Sequence, residues 1–309
     1  MSLIRARRAW NLLRARVRGG AVILLYHRVA RSVHDPFGLC VSPENFAAHM
    51  EILARLARPT PLGGLAPDPD GIQPRSVAVT FDDAYEDVLT EALPVLEHYH
   101  VPATVFAVSG ELGSTFWWDR MTRIPLHAAA EFLEQGHGRQ SDGQEPDPRA
   151  TFGRLHARLL PMDPEERDRT LLRLPALISP KSPLPRTLAP AELRTLRDSG
   201  TVEIGAHTRT HPDLASLGEA DQEVEVVESR RALEEVLDAP VKSFAYPFGT
   251  FAHFGPATSQ IVKKGGFERA CTAEPGIVTG GTNPLALPRL WVEDWGADAF
   301  KRRLMAWLR

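Results

Sequence analysis

The fold of this chain is decided by one short stretch, Val77-Ala78-Val79-Thr80-Phe81-Asp82-Asp83. An apolar, β-branched run ends here in two adjacent carboxylates. A strand that is covered on both faces is continuously apolar, so the run predicts a buried parallel strand. Two acids at its carboxyl end would lie at the mouth of an α/β sheet or barrel, where such folds place their chemistry. The alternative is an Asp that caps the next helix, which would leave the second acid unexplained.

A second motif supplies imidazoles. An apolar run over 202–206 is followed by His207-Thr208-Arg209-Thr210-His211-Pro212. Two histidines four residues apart can face one cation if the segment makes a single turn of helix that Pro212 ends. Imidazole and carboxylate together suit zinc or a similar divalent ion, which keeps three protein ligands in a catalytic site. The alternative for the histidines alone is a solvated loop, and the acid pair reverses that preference.

Four motifs together resemble the signature of the polysaccharide deacetylases, the NodB-homology carbohydrate esterases. They are Thr80-Phe81-Asp82-Asp83, His207-Thr208-x-x-His211-Pro212, Phe244-Ala245-Tyr246-Pro247-Phe248-Gly249 and Leu24-Leu25-Tyr26-His27-Arg28. In most members the histidine strand lies near the end of the domain, whereas here it comes first. That order resembles the circularly permuted branch, which includes deacetylases of poly-N-acetylglucosamine. The resemblance implies an α/β fold, an irregular (β/α) barrel.

The resemblance also implies a role for each site residue. Asp83, His207 and His211 would hold a divalent metal, expected to be zinc, with cobalt or nickel as alternatives. Asp82 would be the general base and His27 the general acid, while the backbone N–H of Phe248 would stabilise the oxyanion. The residues expected to contact the substrate are Tyr246, Pro247, Arg289 and Trp295.

Three departures from the family pattern stand out. Ala84 follows the acid pair where the family usually has Gly, and Ala245 stands where the third motif commonly has an Arg that orients the base. The fourth motif, an Asp with a Trp wall, has no clear match. Arg289, Asp294 and Trp295 are candidates to contact Asp82 or to line the acetyl pocket.

Composition limits the class of protein. The 309 residues, 43% of them apolar, can form one large barrel or two domains, and the motifs favour a single domain over 1–309. The net charge of −3 mixes both signs and gives no support to a nucleic-acid partner. The two cysteines form no CxxC motif, which excludes a disulfide scaffold and a cysteine-rich zinc site.

Localisation is predicted from what the sequence lacks. No apolar run approaches the roughly 20 residues of a membrane span, and no signal-peptide core is evident, so a cytoplasmic location is expected. Residues 1–18 carry six arginines and no acid. They are interpreted as part of a basic helix over 1–20 that packs on the domain, with peripheral membrane contact as the alternative.

Two helical regions frame the predicted site. Residues 114–190 are read as a helix-rich insertion with a low-complexity centre, and their Trp117-Trp118 pair is interpreted as packing, with sugar contact as the alternative. A charged helix over 219–237 is predicted to turn Val224, Val227, Leu233 and Leu237 inward.

The function implied is removal of an N-acetyl group from an amino sugar of a bacterial-type glycan or glycan precursor. One alternative is a deformylase or deacetylase of a lipid-linked or small sugar precursor. Another is a carbohydrate-binding relative without catalysis, against which the full set of metal ligands, base and acid argues.

Overall fold

The computed structural model of the chain describes residues 20–31, 35–65, 72–134, 146–175 and 183–309. The predicted N-terminal helix with its membrane contact, and the low-complexity centre of the insertion, fall almost wholly on residues 1–19 and 135–145. Both segments lie outside the described ranges. Within those ranges, no helix has the length and apolar character that a membrane crossing requires.

Parallel strands form the centre of the fold. The strands in chain order are β1 (Val22–Tyr26), β2 (Arg28–Val29), β3 (Cys40–Val41), β4 (Arg58–Pro59), β5 (Ser76–Phe81), β6 (Ala103–Ala107), β7 (Val202–Ala206), β8 (Ser243–Ala245), β9 (Arg269–Cys271) and β10 (Leu290–Trp291). The main sheet has the order β10-β1-β5-β6-β7-β8-β9, with β4 paired to β5, while β2 and β3 pair with each other. The first strand of the chain therefore lies beside the last.

The segment that follows β9 closes this sheet into a barrel. Leu287 bridges to Cys271 of β9, where its N–H donates to the Ala270 carbonyl at 2.8 Å. Three residues later β10 pairs with β1, with Leu290 opposite Leu24. Because one continuous segment contacts both ends of the sheet, the predicted irregular (β/α) barrel is confirmed.

Helices cover the outside of the barrel. Strands β1, β5 and β6 are buried along their whole length, as expected when helices cover one face and side chains fill the other. Many of the helices begin with Pro in the first turn, where its missing N–H costs nothing. The helices are α1 (Pro43–Leu56), α2 (Leu93–Tyr99), α3 (Trp117–Met121), α4 (Leu126–Glu134), α5 (Pro148–Leu159), α6 (Pro164–Arg173), α7 (Pro190–Asp198), α8 (Glu219–Leu237), α9 (Pro256–Lys264) and α10 (Ala297–Trp307).

The chain between β6 and β7 carries α3 to α7, and its first part builds a second hydrophobic cluster of its own. Phe152, Leu155 and Leu159 of α5 pack there against residues of α3 and α4. Trp117 and Trp118 are only 7% and 5% exposed. The tryptophan pair therefore packs this segment onto the barrel, as the sequence indicated.

Helix α8 has the predicted bounds, but its buried face differs from the prediction. Leu233 and Leu237 are buried, whereas Val224 is 47% exposed. Polar Gln222 and Glu225 lie on the buried face instead. Their side chains satisfy neighbouring groups, and the Gln222 amide oxygen accepts from the Thr258 hydroxyl at 2.7 Å. A hydrophobicity pattern cannot anticipate such partners.

Candidate active site

A cavity of about 410 Å³ opens at the carboxyl-terminal rim of the barrel. It is lined from several directions by strand ends, by α5 and by the loop between β2 and β3. The lining includes Leu25, His27, Phe37, Leu39, Asp82, Asp83, Trp118, Gly153, His156, His207, His211, Phe248, His253, Ala273 and Trp291. Catalytic and metal-ligating residues predicted from four motifs thus meet in one space.

Asp82 is held by a buried arginine. Both of its carboxylate oxygens accept hydrogen bonds from the Arg289 guanidinium, each at 2.7 Å. Arg289 is fixed in turn, because its Nε donates to the Thr272 carbonyl at 2.8 Å. Burial alone would raise the pKa of Asp82, but the charge and the hydrogen bonds of Arg289 outweigh it and hold the pKa below its usual range. Asp82 is therefore ionised.

Asp83 faces the two motif histidines. Its Oδ1 lies 3.7 Å from Nε2 of His207 and 3.7 Å from Nε2 of His211. All three ligand atoms lie within 4.8 Å of one another. Burial raises the pKa of Asp83, and the neighbouring charges of Asp82 and Asp119 raise it further. A buried carboxylate beside a second carboxylate calls for a positive partner.

The chemistry of this donor set fits a divalent ion. Asp83 Oδ1 is buried and has no hydrogen-bond partner among the described residues. Burial lowers the pKa of both His207 and His211, which leaves the imidazoles neutral, the form that binds metal. Three N/O ligands at about 2.0–2.2 Å from zinc stand roughly 3.3–3.6 Å apart in tetrahedral geometry, close to the 3.7 Å between Asp83 Oδ1 and each histidine nitrogen.

The histidine motif is a bend rather than the helical turn that the sequence suggested. Thr208 and His211 both have positive φ, 64° and 58°. Glu225 of α8 stabilises the bend, because one carboxylate oxygen accepts from the N–H groups of Arg209 and Thr210 at 2.9 Å each. The Ala245 carbonyl accepts from His207 Nδ1 at 2.8 Å, which leaves Nε2 free to face Asp83.

His27 lies at the end of β1 on the wall of the cavity. Its ring is 4.5 Å from the Trp291 ring, between ring centroids, and 9% of the residue is exposed. Burial lowers the pKa of His27 from its ordinary 6.5 to about 4, although the charge of Asp82 opposes this. The histidine strand at the start of the chain thus reaches the same cavity as the motifs near residues 82 and 207.

Of the third motif, Phe248 lines the cavity and its neighbours in the sequence do not. Phe248 has φ 59°, and its ring lies 5.0 Å from that of His211. Among the hydrogen bonds of the described residues, none uses the Phe248 N–H. Tyr246 is buried away from the cavity, where its ring stacks on Phe254 at 3.8 Å and its hydroxyl donates to the Leu285 carbonyl.

The fourth-motif candidates separate in the structure. Arg289 contacts Asp82, while Asp294 accepts from the Ser42 N–H and hydroxyl at the start of α1. Trp295 lies outside the cavity, with its Nε1 donating to Glu293. Tyr246, Pro247 and Trp295 do not line this cavity, and their expected contacts with the substrate stay predictions.

Sequence reasoning missed Trp291 and His156, which shape the cavity, and named a sugar contact of Trp118 only as the alternative to packing. Trp291 precedes the predicted Trp295 by four positions and takes the place beside His27. Trp118 lies 4.9 Å from the His211 ring, and its Nε1 donates to the Tyr85 hydroxyl at 3.0 Å. His156 of α5 stacks on Trp117 at 4.7 Å and lines the same space. Only the Phe-Trp-Trp-Asp start of the insertion gave any signal for this wall.

The chain belongs to the polysaccharide deacetylase family, whose sequence model matches residues 71–270, more than half of its length. The matched stretch contains the acid pair, the histidine motif and the third motif. His27 and Arg289 lie outside it, yet the fold brings His27 to the same cavity and Arg289 into contact with Asp82. The family predicted from the motifs is confirmed.

Relatives extend this finding. A Bacillus subtilis protein named as a polysaccharide deacetylase is 20% identical over 274 residues, 87% of this chain and 70% of its own. The poly-β-1,6-N-acetyl-D-glucosamine N-deacetylase of Staphylococcus epidermidis is 46% identical over 41 residues, only 13% of this chain and 14% of that protein.

Solved structures show the same fold. IcaB from Ammonifex degensii is 19% identical with a TM-score of 0.63, over 94% of this chain and 97% of that one. The Streptococcus pyogenes deacetylase PplD is 17% identical with a TM-score of 0.61, over 94% and 98%. At such identities the likeness concerns the fold alone.

Proposed function

We propose that this chain is a metal-dependent hydrolase that removes the N-acetyl group from an amino sugar of a glycan. One observation carries the proposal: the unpartnered Oδ1 of buried Asp83 faces Nε2 of His207 and of His211, next to a carboxylate that Arg289 keeps ionised. This combination offers three metal ligands and one free base in a single cavity.

Asp83, His207 and His211 are the proposed ligands of the divalent metal ion. A divalent ion bound there supplies a water of lowered pKa and polarises the acetyl carbonyl. Zinc is the metal best suited to two imidazoles and one carboxylate, with cobalt and nickel as close substitutes.

Asp82 accepts the proton of the attacking water. Both of its oxygens are already hydrogen-bonded to Arg289, so it is a fixed acceptor. A carboxylate of low pKa is a weak base, so the cost of proton transfer to it falls when the donor water is itself acidified. The low pKa that Arg289 gives to Asp82 therefore suits a site in which a metal ion acidifies the water.

His27 and Phe248 serve the later part of the reaction. Attack on the amide produces an oxyanion. The N–H of Phe248, which has no hydrogen-bond partner in the described part of the chain, stabilises this oxyanion by hydrogen bonding. The amine must leave with a proton, since an amine anion is a very poor leaving group. His27, on the cavity wall with Asp82, donates that proton.

The substrate class follows from the family and its relatives. The Staphylococcus epidermidis relative carries in its name the removal of N-acetyl groups from poly-β-1,6-N-acetyl-D-glucosamine, which supports an N-acetylated amino sugar here. A cavity of about 410 Å³ has the size of a site for one such sugar and its acetyl group.

Acetate release is the direct test. The purified protein is incubated with N-acetylglucosamine oligomers before chelation, after chelation, and after return of zinc, cobalt or nickel. Activity that is lost with the chelator and restored by metal supports the proposal. Oligomer binding without acetate release at any metal level would instead identify a carbohydrate-binding relative that does not catalyse.

A further inference from the structure

A second groove opens beside the catalytic cavity. It has a volume of about 360 Å³ and is lined by Phe37, Arg149, Trp291, Glu293, Trp295 and Arg303. Phe37 and Trp291 line the catalytic cavity as well, so the two spaces share a wall. A group bound in this groove lies next to the sugar whose acetyl group is removed.

The floor of the groove is aromatic and held in place. Trp291 is 38% exposed, an unusual value for a large apolar side chain at a strand end. Trp295 is fixed from two sides, since its Nε1 donates to Glu293 at 3.0 Å and the Arg303 guanidinium lies 4.2 Å from its ring centroid. Aromatic surfaces of this kind suit the C–H face of a sugar ring.

The charge of the groove is positive. Arg149 and Arg303 are both exposed, and no carboxylate pairs with either of them within the part of the chain that the structure describes. Glu293 is the one acid among the lining residues, and its Oε2 already accepts from Trp295 Nε1. Two guanidinium groups without a carboxylate partner are the arrangement that recognises a carboxylate or a phosphate.

We infer that this groove binds the part of the substrate next to the N-acetyl sugar, and that this part carries an anionic group, a carboxylate or a phosphate. The inference rests on the proposed function and narrows its substrate class from any N-acetylated glycan to an anionic one. Arg149 comes from α5 and Arg303 from α10, so the groove joins the segment between β6 and β7 to the end of the chain.

Binding and turnover are measured with three probes. N,N′-diacetylchitobiose is neutral, N-acetylglucosaminyl-N-acetylmuramic acid carries a carboxylate, and N-acetylglucosamine 1-phosphate carries a phosphate. Dissociation constants come from calorimetry at low and high salt, and acetate release is followed in parallel. We expect at least one anionic probe to bind about tenfold more tightly than the neutral one, an advantage that salt reduces.

Variants that remove one positive charge test whether the preference for an anionic probe comes from this groove. Arg149→Gln and Arg303→Gln should each remove most of the preference for the anionic probe, because the neutral amide keeps much of the length but not the charge. Arg302→Gln is the matched control, since Arg302 is exposed on the same helix but does not line the groove. The control should retain the full preference.

The outcomes separate this inference from the proposed function. Equal binding of neutral and anionic probes, or an equal loss in Arg302→Gln, overturns the inference even if acetate is released from every probe. A preference abolished only by Arg149→Gln and Arg303→Gln supports it even if no acetate is released, in which case the proposed function fails alone. Preference for one anionic probe over the other identifies the anion as carboxylate or phosphate.

Discussion

The guanidinium of Arg289 meets the carboxylate of Asp82 in two parallel hydrogen bonds of 2.7 Å, between residues 207 positions apart. The Arg289 side chain is fully buried. Adjacent Asp83, by contrast, leaves its Oδ1 without a hydrogen-bond partner among the residues that the structure describes. The two adjacent carboxylates therefore have different surroundings, because Arg289 binds both oxygens of Asp82, whereas Oδ1 of Asp83 faces two histidines.

The first prediction concerns this difference. Asp82→Asn should retain metal binding yet lower kcat by roughly 10²–10⁴, because an amide cannot accept the water proton. Asp83→Asn should lose metal affinity. In the metal-free protein it should also be no less stable than the unsubstituted chain, since it removes a buried carboxylate that lies beside Asp82. Metal content and melting temperature with and without zinc check both variants.

The reversed pattern would contradict the assignment. A metal-free Asp82→Asn protein together with a fully loaded Asp83→Asn protein would exchange the two roles. Leu89→Ala, at a partly buried position on the helical segment that follows, controls for a general loss of stability near the pair.

A second prediction follows from the charge of Arg289. Its guanidinium holds the pKa of Asp82 below the usual range, so the base stays ionised as the pH falls. Arg289→Lys keeps a charge but loses the two-pronged contact, and the pKa of Asp82 should therefore rise. The acidic limb of the kcat/KM profile should move to higher pH. An unchanged limb in a variant that is folded and fully loaded with metal would show that Asp82 does not govern it.

Much of the barrel could be predicted from the sequence because buried parallel strands are continuously apolar. Strands β1, β5, β6 and β7 carry such runs, and the polar residues that follow them reach one rim. The acid pair and the histidines were found in this way. The pattern of a strand thus predicts where the strand ends, and so which residues lie at the rim of the barrel.

The remaining contacts could not be predicted because they join distant parts of the chain. Arg289 is a candidate to contact Asp82 only through the family's fourth motif, together with Asp294 and Trp295, and the local Leu-Pro-Arg-Leu sequence does not single it out. The charged sequence of its helix predicts that Glu225 faces solvent, yet its carboxylate accepts a hydrogen bond that stabilises the histidine bend. Tyr246 lies within a motif of the site, but neighbouring residues of an extended chain point to opposite faces, and its ring enters the core.

The third prediction concerns His27. His27→Ala should lower kcat by roughly 10²–10⁴, the usual range for loss of a general acid. The deficit should be smaller on an acetyl ester, whose alkoxide leaves more readily than an amine. Equal losses of kcat on amide and ester substrates would mean that His27 positions the substrate and donates no proton.

The pH dependence of kcat/KM tests the same role of His27. Burial lowers the pKa of His27 to about 4, so its proton is lost below the range of a free imidazole, and the alkaline limb of kcat/KM should reflect this. Trp291→Ala removes the ring that lies 4.5 Å away and admits water. The pKa of His27 should then rise toward 6.5, and the alkaline limb should move up with it.

The fourth prediction tests backbone strain at the site. Ala84 has φ 52° directly after the acid pair, and Gly249 has φ 62° after Phe248. Ala84→Gly should change the free energy of unfolding by less than about 1 kcal/mol, because relief of strain offsets the loss of a buried methyl. Gly249→Ala should cost roughly 2 kcal/mol or more, because a Cβ there would lie 2.3 Å from the Ala273 backbone nitrogen.

Urea unfolding measures both changes. Gly281→Ala is the matched control, since a Cβ at Gly281 meets no atom within 4 Å and its φ is not positive. A Gly249→Ala protein as stable as this control would mean that the turn after Phe248 can shift.

The last prediction uses His49, a buried histidine remote from the site. Its Nε2 contacts the Trp295 carbonyl at 2.6 Å and its ring stacks on Phe300 at 3.9 Å. Burial lowers the pKa of His49 from 6.5 to about 4. Between pH 4 and pH 6.5, His49 binds a proton in the unfolded chain but not in the folded chain. The free energy of unfolding should therefore fall as the pH drops from 6.5 to 4. Below pH 4 the imidazole is protonated in both states, so His49 should cause no further loss of stability. The size of this contribution is roughly 3 kcal/mol.

His49→Gln keeps a donor for the Trp295 carbonyl but cannot titrate, so its free energy of unfolding should depend less steeply on pH over this window than that of the unsubstituted protein. The other buried histidines contribute equally to both proteins and cancel in the difference. Urea unfolding at several values between pH 4 and 7 gives the slopes, and parallel curves for His49→Gln and the unsubstituted protein would show that His49 is charged in the folded state.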